Sequence, residues 1–219
     1  MSGQVLLLHP ALAAAVPPPD GRLSRAVGSL LSPVRRKDPT VAGGPLTPDE
    51  VARFRRTFLP QMDAAYSFAR YLCRDATIAE DLVQDAYLRA YQSFAGYRGG
   101  DARAWLFAIL RSCFLTWVRA QRAWSEVTTP EAVETAARAA TAPADTPEDA
   151  LVRASDVADV RAAVEALPDP FRETLVLREL HEMSYRDVAE LTGAPIGTVM
   201  SRLARGRQML AQALSGGAS

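Results

Sequence analysis

Between Ser184 and Arg207 the chain reads SYRDVAELTGAPIGTVMSRLARGR, two short apolar-periodic segments hinged on a glycine, and few folds accommodate that pattern. Ser184 followed three residues later by Asp187 is a capping-box arrangement, so a helix is predicted to start there and to turn Val188, Ala189 and Leu191 inward. Gly193 ends it, because a glycine just past the last apolar residue takes the left-handed conformation that closes a helix, and Pro195 suits the first turn of the next one. Ile196, Val199 and Leu203 then recur at three- and four-residue spacing, one buried stripe on a second helix. Its other faces carry Thr198, Met200, Ser201, Arg202 and Arg205, side chains that meet phosphates and base edges when a recognition helix lies in a major groove. No acid follows Glu190, so the end of the chain is purely cationic. A plain helical hairpin with a solvated basic face shares this pattern; the fit to the helix-turn-helix template favours duplex DNA.

The whole chain limits what kind of DNA binding this is. Its 219 residues hold 25 basic and 25 acidic side chains, so there is no overall attraction to phosphate, and any contact with nucleic acid is local. The length suits two small domains, and 48% hydrophobic residues suit a globular protein. Charge is uneven along it: residues 46–124 carry eleven Arg against eight acids, residues 125–155 two Arg against six. Lys37 is the one lysine; arginine suits bidentate contacts to phosphates and bases. Cys73 and Cys113 stand forty residues apart with no CxxC spacing and only His9 and His181 for company, which predicts two buried thiols and no metal site. No cofactor motif is present.

Residues 1–45 read as a Pro- and Ala-rich, disordered N-terminal extension with a basic cluster at Arg35, Arg36 and Lys37. Its apolar start lacks the basic flank of a signal peptide, is interrupted by His9 and Pro10, and is too short to span a bilayer, so no membrane insertion is expected. From Thr47 the helical signal is continuous. Thr47-Pro48-Asp49-Glu50 is a helix start with acids where the helix dipole favours them, and a helix follows through Phe54 and Phe58. Another runs from about Gln61 to Leu72, burying Ala65, Phe68, Ala69 and Leu72. Thr77 and Glu80 form a second capping box, opening a helix to about Phe94 whose wide apolar face holds Ile78, Leu82, Ala86 and Ala90 beside Val83, Tyr87 and Tyr91. Asp81, Gln84 and Asp85 make one acidic patch on its outer surface, which as a solvated face would hold an Asp85–Arg89 pair.

The next segment crowds aromatics, glycines and arginines into a connection between helices. Gly96, Gly99 and Gly100 permit an unusual backbone path flanked by Phe94 and Tyr97, and from Asp101 a long helix runs to about Trp124 with Leu106, Ile109, Leu110, Cys113 and Trp117 suited to a core. Arg111, Arg119 and Arg122 fall on another side with Leu115, where they can follow one phosphate track. Arginine interleaved with aromatics suits single-stranded nucleic acid, and equally a buried aromatic cluster beside a solvated basic helix. Residues 125–155 have no aromatic and read as a flexible linker. Beyond it, Val157, Val160, Val164 and Leu167 build a helix ended by Pro168 and Pro170, and residues 171–180 build the helix that supports the helix-turn-helix. No stretch alternates as a strand would, so the fold is expected to be all-α: two small helical domains, at 46–124 and 156–214, with a short tail at 215–219.

Taken together, these segments resemble the extracytoplasmic-function sigma factors, bacterial transcription initiation factors of the sigma-70 family. AEDLVQDAYLRAYQSF is similar to their regions 2.1 and 2.2, the aromatic and arginine-rich segment to regions 2.3 and 2.4, and ALPDPFRETLVLRELHEMSYRDVAELTGAPIGTVMSRLARGRQML to region 4, in the family's order and with a linker where the family has one. The resemblance implies a specificity subunit of core RNA polymerase rather than an enzyme, cytoplasmic and without cofactor. It makes Asp81, Leu82, Gln84 and Asp85 core-polymerase contacts. Phe94, Tyr97, Arg98 and Arg103 would form a loop capturing an extruded base of the minus-ten element, with Trp105, Arg111, Ser112, Arg119 and Arg122 lining the strand path. Base readers of the minus-thirty-five element would be Met200, Ser201, Ala204 and Arg205, beside Thr198, with Arg178 and Arg202 on the backbone. The chain departs from many relatives at Met200, where they carry Arg, and at Ser112, where they carry Asn. It lacks region 3, as the two-domain class does, and an anti-sigma factor is the expected partner besides polymerase and promoter DNA. Two other classes share parts of the pattern: a conventional dimeric helix-turn-helix regulator, and a sigma-mimicking adaptor that binds an anti-sigma factor without touching DNA.

Overall fold

The computed structural model describes residues 46–127 and 158–216, and every regular element among them is helical. The expected extension at 1–45, the expected linker from residue 128 on, Val157 and the last residues of the tail lie outside the described residues. Helix α1 (Pro48–Phe58) opens on Thr47, whose Oγ1 accepts from the Glu50 amide at 3.3 Å while the Glu50 carboxylate accepts from the Thr47 amide at 2.8 Å. That reciprocal capping holds the Glu50 carboxyl below its usual range. A 3₁₀ turn at Leu59–Gln61 leads into α2 (Met62–Cys73), which closes on Arg74 in the left-handed region at φ 62°. Helix α3 (Ala76–Gln92) begins one residue before the expected Thr77 cap. Asp75 takes the extended conformation a cap needs, directly after Arg74, and its Oδ1 accepts from the Ile78 amide at 2.9 Å, so the Thr77–Glu80 pair falls inside the first turn.

Beyond α3 a 3₁₀ turn at Phe94–Gly96 enters the glycine connection, where Gly99 and Gly100 take φ of 93° and 97°. Asp101 then caps α4 (Ala102–Val127) by accepting from the Arg103 and Ala104 amides at 2.9 and 3.1 Å. This helix passes the expected end at Trp124. Phe54, Phe58, Phe68, Leu82, Val83, Tyr87, Leu106, Phe107 and Leu110 are buried where α1 to α4 meet. The Tyr87 hydroxyl donates to the Phe58 carbonyl at 2.6 Å, so its polar tip is satisfied inside that core.

The second half starts with α5 over residues 158–166, followed by α6 (Asp169–Leu175), which widens into a π-helical turn at Val176–Leu180. Helices α7 (Tyr185–Thr192) and α8 (Ile196–Gly216) follow. Ser184 caps α7 by accepting from the Asp187 amide at 3.1 Å, and Gly193 closes it at φ 68°, as the sequence predicts. Val199, Leu203 and Leu210 bury one stripe of α8. At Gly206 α8 lies against α6: a Cβ there would stand 3.5 Å from Leu175 Cδ1. Ile196, expected in the same stripe, is instead 48% exposed: it is the first residue of α8, and burial begins at Val199.

The two halves touch. Arg172 is 2% exposed and reaches across, its Nε donating to the Tyr71 carbonyl at 2.7 Å and its Nη2 to the Leu72 carbonyl at 3.5 Å. These are among the last carbonyls of α2, which have no partner within their own helix. His181 packs edge-on against Phe68 and Phe107, with ring centroids 6.0 and 4.8 Å away. Arg74–Asp169 at 3.3 Å and Arg111–Glu173 at 2.6 Å add ion pairs along the seam.

Candidate nucleic-acid interface

On α8 the buried stripe dictates what is left for a partner. Met200 is 54% exposed, and Ser201, Ala204 and Arg205 are exposed with it, while Thr198 and Arg202 are half-buried at its edges. The Ser201 hydroxyl donates to the Thr198 carbonyl at 2.9 Å, a bond a base-edge acceptor can replace. No intramolecular ion pair or side-chain hydrogen bond engages Arg205 among the described residues, so its fork is available for a bidentate acceptor. Arg178, expected on the DNA backbone, is half-buried: its Nη1 donates to the Met183 carbonyl at 2.8 Å and its guanidinium lies 5.0 Å from the Tyr185 ring centroid. It stitches the loop before α7 to the π-helical turn.

Around the glycine connection the expected side chains separate into a support and a surface. Phe94 is fully buried, with edge contacts to Phe54 and Phe58 at 5.3 and 6.0 Å and Arg53 lying 4.6 Å over its ring. The expectation that it shares in base capture is corrected accordingly: no face of it is open, and it carries the loop from beneath. Tyr97 and Trp105 are half-buried with centroids 5.1 Å apart, and the Tyr97 hydroxyl donates to the Gly100 carbonyl at 2.9 Å, pinning the turn. Arg98 is exposed on that turn, and Ser112, Arg119 and Arg122 are exposed along α4.

Two of the expected minus-ten contacts, Arg103 of the loop and Arg111 of the strand path, are engaged by the other half. Arg103 donates through Nε to Gln61 Oε1 and through Nη1 to the His181 carbonyl, both at 3.2 Å. Arg111 pairs with Glu173. The second-half partners Glu173, His181 and Arg172 were not signalled by the sequence, since an Arg-Glu pair within a helix reads as an ordinary polar face until its distant neighbour is known. In this arrangement the α8 surface is open while part of the α4 surface is covered.

On α3, Asp81 and Asp85 are exposed and Gln84 is half-buried, and they edge a hollow of about 370 Å³ that Ile78, Arg89, Cys113 and Trp117 also line. Leu82 is 4% exposed and forms its floor rather than its rim. Among the described residues Asp85 and Arg89 do not close the ion pair that a solvated face would favour, and neither the Asp81 nor the Asp85 carboxylate is in an ion pair. Burial pushes the Cys73 thiol up to about 11 and raises that of Cys113, which keeps both protonated. Among the described residues no group of three or more His, Cys, Asp or Glu is arranged to hold a metal, and no helix is long and apolar enough to cross a membrane.

Comparison with known proteins covers both halves. Residues 59–123 match the family of sigma-70 region 2, and residues 158–210 match sigma-70, region 4. The chain is 33% identical over 150 residues to the ECF RNA polymerase sigma factor SigE of Mycolicibacterium smegmatis, a stretch that covers 68% of this chain and 56% of that protein. It is 33% identical over 144 residues to the RNA polymerase sigma-H factor of Pseudomonas aeruginosa, covering 64% of this chain and 75% of that one, and 32% identical over 161 residues to the ECF RNA polymerase sigma factor EcfG of Rhodopseudomonas palustris, covering 73% and 84%. Among solved structures it resembles the sigma factor RpoE of Bartonella quintana, crystallised with the anti-sigma factor NepR, with a TM-score of 0.60 and 30% identity over 74% of this chain and 97% of that one. CnrH, in complex with the cytosolic domain of CnrY, shares the fold at a TM-score of 0.52 and 19% identity, over 88% of this chain and 96% of that one.

Proposed function

Because the chain belongs to the extracytoplasmic-function sigma factors of the sigma-70 family, we propose that its two halves divide promoter recognition between an acidic docking face, a strand-capturing loop and a duplex-reading helix. Core RNA polymerase docks on the hollow of α3, with Asp81, Gln84 and Asp85 at its rim and Leu82 as its floor. Helix α8 enters the major groove of the minus-thirty-five element, where Met200, Ser201, Ala204 and Arg205 meet base edges and Arg178, Thr198 and Arg202 hold the backbone. Arg205 reads a guanine; loss of that bidentate contact costs about 1 to 3 kcal/mol. Tyr97 and Trp105, with Arg98, flank the pocket for an extruded minus-ten base, whose unstacking costs a few kcal/mol that stacking and fit must offset. Ser112, Arg119 and Arg122 continue the strand path along α4.

The observation that carries this reading is the segregation of surfaces: exposed carboxylates around a hollow floored by Leu82 on α3, and the exposed Arg205 guanidinium and Ser201 hydroxyl on α8. Arg103 joins the loop, and Arg111 the strand path, only after the halves part, since both are held across the seam here. The polymerase performs the chemistry, and this protein serves it as a specificity subunit in the cytoplasm rather than as an enzyme. RpoE was solved with the anti-sigma factor NepR, and a partner of the anti-sigma class is proposed to hold this chain until a signal releases it. The test is equilibrium binding of the full chain to bacterial core polymerase. Wild type is expected to bind, and the Asp81→Ala, Asp85→Ala double variant to bind at least about tenfold more weakly, as charge-assisted contacts to two carboxylates require. Equal binding by both proteins would move the docking face elsewhere, and no binding by wild type would remove the sigma reading altogether.

A further inference from the structure

We infer that Met200, with Ile196 one turn before it, reads the C5-methyl group of a thymine in the duplex element bound by α8. The inference rests on the promoter-binding reading above and sharpens it to one group of atoms. Large apolar side chains exposed by more than a third are few among the described residues: Leu88, Tyr185, Ile196 and Met200. Two of the four stand in the first two turns of α8, at 48% and 54% exposure, and at i and i+4 they form one continuous patch. Neither packs against the core, which Val199, Leu203 and Leu210 fill from the same helix. Folding alone therefore gives no reason for them to be apolar.

The first turns of a recognition helix are the part that reaches base edges. In the major groove the base edges offer hydrogen-bond donors and acceptors, and thymine alone among the four bases adds an apolar group, its methyl. Set against a cytosine amino group or a guanine carbonyl, Met200 would strip water from a polar atom and give nothing back. Set against a thymine methyl, it gains buried apolar area, and its unbranched thioether adapts to the methyl's position. Arg205 lies five residues further on, about 140° around the helix, so the methyl and the guanine belong to different base pairs.

The test uses the full chain with core polymerase on a promoter selected from a fragment library. Each thymine of the upstream duplex element is replaced in turn by deoxyuridine, which removes the methyl and keeps base pairing. At one position the substitution is expected to lower wild-type initiation about three- to fivefold, the equivalent of one methyl's burial. Met200→Ala is expected to start from that lower level and to show no further loss, while Arg205→Ala keeps its sensitivity to deoxyuridine. Deoxyuridine that is silent at every position, on a promoter the wild type still uses, overturns the inference and leaves the exposed pair to a protein partner. Absence of any promoter-dependent transcript would instead remove the reading on which it rests.

Discussion

At Arg172 a guanidinium buried to 2% exposure donates to the carbonyls of Tyr71, Leu72, Glu165 and Leu167 and to the Asp169 carboxylate at 2.5 Å. Burial pulls it below its ordinary value, yet an arginine starts so high that it stays protonated at any working pH. Removing it strands buried acceptors from both halves, so Arg172→Ala is expected to destabilise the protein by about 3 kcal/mol, read as a shift in the urea midpoint. Arg172→Lys recovers less than half of that, because an ammonium cannot reproduce the planar fork. Cys73 gives a second prediction at this scale. Its thiol donates to the Asp75 carbonyl at 3.1 Å and, pushed up to about 11, stays protonated below that pH. Alkylation of the native protein at pH 8 should be much slower at Cys73 than in the urea-unfolded chain, rising as pH approaches 11; equal rates would contradict the burial. The sequence showed both cysteines as lone thiols, but Arg172 was invisible in it. Its partners at Tyr71 and Leu72 lie about a hundred residues earlier, and no local spacing encodes such a contact.

Elements were legible where local signals decide them. Ser184 and Gly193 bracket α7 as the capping pattern predicts, since a cap's hydrogen bond and a glycine's left-handed φ depend on a handful of consecutive residues. Gly193→Ala is expected to cost about 1 kcal/mol, all of it conformational, because a Cβ there would meet no atom within 4 Å. Ser184→Ala should cost about as much through loss of the cap. Both would lower the thermal midpoint and weaken duplex binding together, and wild-type duplex affinity in a variant of lowered stability would show that the α7–α8 turn does not position the reading helix. Elements were misjudged where tertiary packing decides them. Ile196 fits the apolar stripe of α8 by spacing, but it stands at the helix's first residue, where the cover that buries Val199 and Leu203 does not reach. Phe94 looks like a loop aromatic in sequence, and only the meeting of α1 with the connection shows it to be core.

For the whole molecule, the sequence showed two helical units in a particular order but not how they meet, because the polar links across the seam, Arg172, Arg103 and Arg111–Glu173, are made by side chains that look like surface. Arg111–Glu173 and the Arg103 bond to His181 join helix α4, proposed to carry the opened strand, to the second half. Glu173→Arg sets like charges against each other there, and the expected outcome is a larger radius of gyration by small-angle scattering and stronger binding to opened promoter strands; an unchanged radius and unchanged binding would show that the seam is not what covers α4. The central claim is that one chain both docks on polymerase and chooses the promoter. Its most direct test is run-off transcription from a promoter-fragment library with bacterial core polymerase, with and without this protein. Transcripts that require it, vanish with Asp81→Ala, Asp85→Ala and fall by about tenfold with Arg205→Ala are the predicted result. A cognate core that yields no dependent transcript, while the protein binds paired duplex half-sites as a dimer, would contradict it and make the chain a conventional regulator.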